Sequence, residues 1–362
     1  MKHWTQILTT AACIAATVSF AAEEKSPATI TRIIAVDNVC AWPQLTMLRD
    51  GTIAAVIHNQ PAHGLREGDV ECWTSADGEF WKKVGTPTQH EPNTIRMNHA
   101  AGLAKNGDLL VLCSGWTNEK QPQRPKQTAF RDDILRSWVC RSSDGGRTWT
   151  PHKEFVAPEK GWTEFIPFGP IFAGEDGALH TSCYTGEFTD PTKSAKTSSY
   201  RSWHFRSEDD GKTWKPTSVI GMKHNETSIL PLGGKRWLAA ARIDAVELFR
   251  SDDDGATWQG PQRVTERNEI NAHLLRLKDG RLLLSYGNRV KDQIGVLAKL
   301  SSDDGATWSS PIRLAHTLDS DCGYPSSVQR ADGKIVTAYY AKSVVNHERY
   351  HMGVAIWEAP PQ

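Results

Sequence analysis

The chain has 362 residues, 39% hydrophobic and 23% charged, with 42 Lys+Arg against 42 Asp+Glu for a formal net charge of +0. That composition is globular and excludes collagen-like and disordered chains. A zero balance also excludes a non-specific binder of nucleic acid or anionic membranes, which needs a basic excess.

At the N-terminus, Met1-Lys2-His3 precedes an apolar run from Ile7 to Phe20, and Ser19-Phe20-Ala21 offers small residues around a cleavage site. The run is too short to cross a bilayer. Residues 1–21 therefore read as a secretory signal peptide, and 22–362 as a single exported domain, secreted or periplasmic, with no membrane span. A monomer is expected. Cys13 falls in the leader, which leaves Cys40, Cys72, Cys113, Cys140, Cys183 and Cys322. No C-x-x-C pair occurs among them, so neither a metal nor a cofactor is expected, and strand-like surroundings suggest small buried hydrophobes.

Next comes a spare strand, Ala28 to Val36, and after it a repeat. Apolar runs flank tight turns at Asp50-Gly51, Asn106-Gly107, Asp176-Gly177, Gly233-Gly234, Asp279-Gly280 and Asp332-Gly333, a strong short hairpin signal. Between these hairpins lies an octapeptide, SSDGGRTW (142–149), SEDDGKTW (207–214), SDDDGATW (251–258) and SSDDGATW (301–308), with a shorter copy, SADGEFW (75–81). In Ser-x-Asp-x-Gly-x-Thr-Trp, the Asp accepts bonds from its own turn's backbone, the Gly supplies positive φ and the Trp buries a large area beneath. Each unit thus reads as strand, tight turn, strand, loop, strand, Asp-box turn, strand. The predicted fold is an all-β, six-bladed β-propeller of four-stranded antiparallel blades. The last unit lacks an Asp box, so the N-terminal strand completes it beside Met352–Trp357 and closes the ring. Cys40 and Cys322 then occupy equivalent sites on neighbouring blades, and are the pair closure brings nearest.

Counting back nine residues from each turn's last Gly, or eight for the shorter Gly233-Gly234 turn, reaches Trp42, Asn98, Phe168, Glu226, Asn271 and Tyr324. By symmetry these positions converge on one mouth of a central channel, and six equivalent positions with dissimilar residues suggest a binding site. Counting forward places Arg242 opposite Glu226 and Arg289 opposite Asn271. The mouth therefore gains two guanidiniums beside a carboxylate and a phenol. His99 and His273, close to Asn98 and Asn271, are further candidates.

Asp boxes on these blades, with a Glu, a Tyr and arginines at these strand ends, resemble the exo-α-sialidase (neuraminidase) superfamily over roughly residues 28–358. HNETSILPLGGKRWLAAAR (224–242) is similar to the segment carrying the catalytic Glu and a carboxylate-binding Arg, which implies those roles for Glu226 and Arg242. LLLSYGNR (282–289) resembles the segment with the next Arg, Arg289, and CGYPSSVQRADGKIVTAYY (322–340) the one with the nucleophilic Tyr, Tyr324. The resemblance implies a Tyr nucleophile activated by Glu226, in place of the usual carboxylate. A neutral phenol approaches an anomeric centre that bears a carboxylate without the repulsion an anion would meet. Arginines hold such a carboxylate by bidentate bonds that Lys cannot match.

The sequence departs from the family where a first carboxylate-binding Arg is expected, reading Ala41-Trp42-Pro43. Candidates for the acid/base lie in HNQPAHGLREGDVECW (58–73): Asp69, nearest the family's acidic position, with His63 and Glu67 as rivals. The expected function is a secreted retaining exo-glycosidase acting on a terminal sialic or other acidic sugar of a glycan or glycoconjugate. The alternatives are an enzyme of different specificity, such as a uronate-directed rhamnosidase or lyase, and a non-catalytic glycan-binding propeller. A carboxylate beside a phenol at the mouth favours an enzyme, since a lectin has no need of the pair.

Overall fold

The computed structural model describes Met1 and residues 29–117, 133–187 and 199–361. Apart from Met1, the leader read at 1–21 lies outside the described residues. The tight turns form as their composition requires. At Asp50-Gly51 the Thr52 amide donates to Asp50 Oδ1 at 2.9 Å while Leu48 and Thr52 close the hairpin at 2.8 Å. Asn106 repeats the device for Asp108 at 3.0 Å. The strands that follow these turns, such as Ile53–His58, Leu282–Asn288 and Ile335–Ala341, are buried at every residue. They read as continuous runs because neighbouring sheets cover both faces.

The Asp boxes, on the outer strands at the same end as the tight turns, share one hydrogen-bond scheme. In 142–149 the Gly146 amide donates to Ser142 Oγ (2.8 Å), the Thr148 amide to Asp144 Oδ1 (2.9 Å), and Trp149 Nε1 to the Gly146 carbonyl (2.8 Å). The copies at 207–214 and 301–308 repeat all three bonds. At 251–258 Trp258 Nε1 instead meets Ser218 Oγ, which in turn donates to the Gly255 carbonyl. The glycine is required: Gly146 has φ of 91°, and a Cβ there would stand 2.5 Å from Cys72 Sγ.

Twenty-four described strands pair as four four-stranded sheets and one of eight strands. Each group of four is antiparallel. The spare N-terminal strand, Ile30–Asp37, pairs with His351–Trp357, Ile30 opposite Trp357 and Asp37 opposite His351, and completes the last group. In the eight-stranded sheet two groups join where Gly169–Ile171 runs parallel to Ala100–Gly102. The join depends on close backbone approach, since a Cβ on Gly102 would lie 2.1 Å from the Ile171 carbonyl.

First strands pack on one another in sequence. Gln44–Met47 touches Thr94–Leu103, which touches Ile166–Ala173, then Thr227–Gly233, Glu269–Arg276 and Cys322–Gln329, and the last touches Gln44–Met47 again. The core lies between neighbouring sheets rather than at one centre. One cluster joins Val36, Ile53, Ile95, Val336 and Tyr340, and another joins Leu238 and Leu248 to Leu274 and Leu284. Burial of such side chains contributes about 1.5–3 kcal/mol each. The six described cysteines form no disulfide and are all buried, as small hydrophobes. Among the described residues no helix is long and apolar enough to cross a membrane, and no three His, Cys, Asp or Glu group as metal ligands.

Candidate active site

The first strand of most groups carries a bulge where its inner end turns into the mouth. Register shifts fall between Arg96 and His99, Phe168 and Phe172, Ile270 and His273, and Gly323 and Ser326. At these bulges Asn98, Asn271 and Tyr324 adopt left-handed φ of 57°, 60° and 49°, and Trp42 joins them at 42°. Non-glycine residues take this conformation only at a cost of about 1–3 kcal/mol each, which larger structure must offset and which concentrates at functional sites. The bulge re-aims each side chain from the sheet face into the mouth.

Four of the expected residues meet there. Tyr324 OH donates to Glu226 Oε1 at 2.6 Å, Asn271 Nδ2 donates to Glu226 Oε2 at 2.6 Å, and Arg242 Nη1 reaches both Glu226 Oε2 and, at 3.0 Å, Tyr324 OH. Arg242 lies across the hairpin from Glu226, as mirror counting expects, with amide and carbonyl paired at 3.1 Å. Glu226 is only 5% exposed, so its charge is held by these donors and not by water. Burial raises the Tyr324 pKa, Glu226 raises it further, and Arg242 and Arg289 only partly oppose them, so the phenol stays protonated. Burial works against the Arg242 charge, but Glu226 and Tyr324 lift its pKa above the ordinary value.

Arg289 departs from expectation in register. Its amide bonds the Asn268 carbonyl at 2.8 Å, not Asn271, because the turn centres one residue before Gly280 and the bulge at Asn271 takes up another. Its guanidinium still enters the site, 6.0 Å from the Tyr324 ring centre, donating to the Cys322 carbonyl at 3.1 Å and to Tyr340 OH at 3.2 Å. Trp42, Phe168 and Tyr340 wall Tyr324 with ring centres at 6.4, 5.9 and 5.7 Å.

The other candidates bond outside this cage. Asn98 Oδ1 accepts from Trp116 Nε1 at 3.1 Å. His99 and His273 line the floor beneath Trp42 and Tyr324, where burial depresses each to about 4 and keeps the rings neutral. His99 Nε2 faces the Val56 carbonyl at 2.9 Å and His273 Nδ1 accepts the Ser327 amide at 3.3 Å. Asp69 is held by His90, whose amide and Nδ1 approach its Oδ1 at 2.8 and 2.6 Å, and Glu67 faces the same ring at 3.3 Å. His63 instead packs its edge on Trp42, with ring centres 4.9 Å apart. A larger cavity of about 660 Å³ opens toward the tight turns, around Met47, Phe172 and Leu275, and neither Tyr324 nor Glu226 lines it.

Sequence reading missed Asp321, Tyr340 and Tyr350. Tyr340 pairs across from Gly323, next to Tyr324, so mirror counting in the last hairpin, had it been continued, would have come within a residue or two of it. Asp321 and Tyr350 carry no repeat signal, because they belong to loops rather than to the repeated strands.

The BNR repeat-like domain family matches residues 62–337. No curated protein matches the chain. Among solved structures, a protein of unknown function from Dyadobacter fermentans is 22% identical with a TM-score of 0.77, over 91% of this chain and 99% of that one. The K499G mutant of the NanB sialidase from Streptococcus pneumoniae is 13% identical with a TM-score of 0.67, over 90% of this chain and 70% of its own. The Trypanosoma rangeli sialidase bound to the inhibitor DANA is 14% identical with a TM-score of 0.66, over 92% and 58%. At these identities the likeness is one of fold.

Proposed function

Since the chain belongs to the BNR repeat-like domain family, within the sialidase superfamily, we propose that its six four-strand groups close as a six-bladed propeller whose mouth is a glycosidase site. The reaction is retaining hydrolysis of a terminal acidic sugar. The observation that carries this reading is the 2.6 Å bond from Tyr324 OH to Glu226 Oε1 inside a cage of Arg242 and Asn271. A phenol held protonated is a poor nucleophile until a base takes its proton, and Glu226 is placed to do so as the oxygen attacks.

In the first step the Tyr324 oxygen bonds the anomeric carbon and its proton passes to Glu226. The glycosidic bond breaks toward the leaving oxygen, which takes a proton from an acid in the loop after Ile53–His58. In the second step water attacks the anomeric carbon, its proton goes to that same acid, and Tyr324 departs, recovering its own proton from Glu226. Arg242 and Arg289 supply the positive charge for a carboxylate on the sugar. Trp42, an aromatic wall in place of a third arginine, supports an acidic sugar other than sialic acid.

The test is turnover of a panel of aryl α-glycosides, sialoside and uronide included, by the wild type and by Tyr324→Phe and Glu226→Gln. Each variant is expected to lose at least about 100-fold in kcat with an unchanged circular dichroism spectrum. Wild-type rates in both variants would refute the assignment, and glycan binding without turnover by the wild type would favour a lectin. We also propose export by the apolar leader, which N-terminal sequencing of the mature protein checks by a start after Ala21.

A further inference from the structure

The loop carrying His63 and the loop entering the Tyr324 strand come from opposite ends of the chain, yet meet at one carboxylate. His63 Nδ1 lies 3.0 Å from Asp321 Oδ1 and 3.2 Å from Oδ2. Tyr340 donates its hydroxyl to Oδ1 and Tyr350 donates to Oδ2. Tyr340 in turn accepts from Arg289, so this cluster is continuous with the Tyr324 site. The Asp321 amide donates to Asp319 Oδ1 at 2.8 Å and Lys342 neutralises Asp319 at 2.8 Å, which fixes the turn that presents the carboxylate.

The ionisation state follows from these partners. Burial alone would raise the Asp321 carboxyl, but the His63 imidazole and the Tyr340 and Tyr350 hydroxyls hold it well below the ordinary carboxylate range. An ionised carboxylate only accepts, so His63 Nδ1 carries hydrogen. The other ring nitrogen, Nε2, has no partner among the described residues, and the side chain is 38% exposed beside Trp42. An imidazole with one nitrogen pinned by a half-buried carboxylate and the other open at the mouth is arranged for proton transfer. The contacts of Asp69 are with His90 and Asn59 rather than with the residues around Tyr324.

We propose that His63 is the acid/base of the reaction and that Asp321, held by Tyr340 and Tyr350, is the residue that positions it. This rests on the reading of Tyr324 and Glu226 above. Nε2–H protonates the leaving oxygen as the glycosidic bond breaks, which leaves a neutral ring with hydrogen on Nδ1. In the second step Nε2 takes the proton of the attacking water and the imidazolium is restored, its charge balanced by Asp321.

Two measurements test this. The first compares His63→Gln and Asp321→Asn with the wild type on glycosides of graded leaving-group acidity. His63→Gln is expected to lose about 10²–10⁴-fold in kcat with an alkyl leaving group and little with a dinitrophenyl one. Asp321→Asn should show the same trend more weakly, with a displaced acidic or basic limb in its pH profile. A loss equal across leaving groups, or none, overturns the proposal. The second needs no substrate: ¹⁵N NMR of the imidazoles, with His63 assigned by its absence in His63→Gln. At a pH where the ring is neutral, the wild type is expected to show the Nδ1–H tautomer, and Asp321→Asn a shift toward Nε2–H. Tyr350→Phe, which removes one bond to Asp321, should show a smaller shift if Asp321→Asn does not fold. Unchanged tautomers overturn the positioning role. Failure of the wild type on every glycoside would refute the hydrolase reading, while the NMR result still decides the His63–Asp321 pairing.

Discussion

The outer turns and the inner mouth are built from the same repeat and have opposite fates. At the outer side, five Asp boxes use one set of bonds, Ser to Gly amide, Asp to the turn's amides and, in four of them, Trp to the Gly carbonyl. At the mouth, equivalent positions hold Trp42, Asn98, Phe168, Glu226, Asn271 and Tyr324, four of them left-handed. The boxes lower the energy of their own sheets locally, and one solution serves every copy. The mouth spends stability on unusual backbone and on a caged carboxylate, and its positions diverge because each must do something different. Local stabilisation and the proposed chemistry thereby fall at different places on the sheets that carry both.

That separation can be broken at the box. Trp214, 5% exposed and packed with Leu110, Phe155 and Phe205, is expected to cost about 3–5 kcal/mol on replacement by Ala, read by urea unfolding, with kcat per folded molecule unchanged. A matching loss of kcat would show that the two regions are coupled.

Acid sharpens the contrast. Burial depresses His58, His99 and His273 to about 4, and His204 to about 3, against an unfolded value near 6.5. Depressed pKa values mean stability is fully present above the unfolded value and is lost as pH falls toward the folded one. From pH 7 to pH 6 the four together should cost about 2–3 kcal/mol, measured by urea titrations at both values. Three of the four surround the mouth, two of them on its floor, so His99→Gln should flatten the slope more than any change on the outer surface. The smallest expected effect is Ser207→Ala, which deprives the buried Gly211 amide of its 2.8 Å acceptor and should cost about 1–2 kcal/mol by the same assay.

Features that obey the repeat were legible in the sequence. Turn residues, Asp boxes, the six mouth positions and the Glu226–Arg242 pairing all follow from counting, because hairpins are symmetric about their turns. Counting failed where the backbone breaks symmetry: a turn centred on Asp279 instead of Gly280 and the bulge at Asn271 together move Arg289 to Asn268. It also could not see the parallel join at Gly102, which depends on a close approach between groups rather than on any local pattern. Asp321 and Tyr350 were invisible for another reason. They sit in loops with no equivalent elsewhere, and only the folded chain brings them to His63.

The pairing of Ile30–Asp37 with His351–Trp357 has a consequence for synthesis. A chain emerging from the ribosome exposes the N-terminal strand first and must wait for nearly the whole polypeptide before that strand finds its partner. Until then its backbone edge is a template for wrong pairing, with a second copy or with an earlier sheet. Ile30, Ile33, Ile34, Ala35 and Val36 are apolar and only Thr31, Arg32 and Asp37 are polar, so the waiting strand carries a liability that its pairing removes.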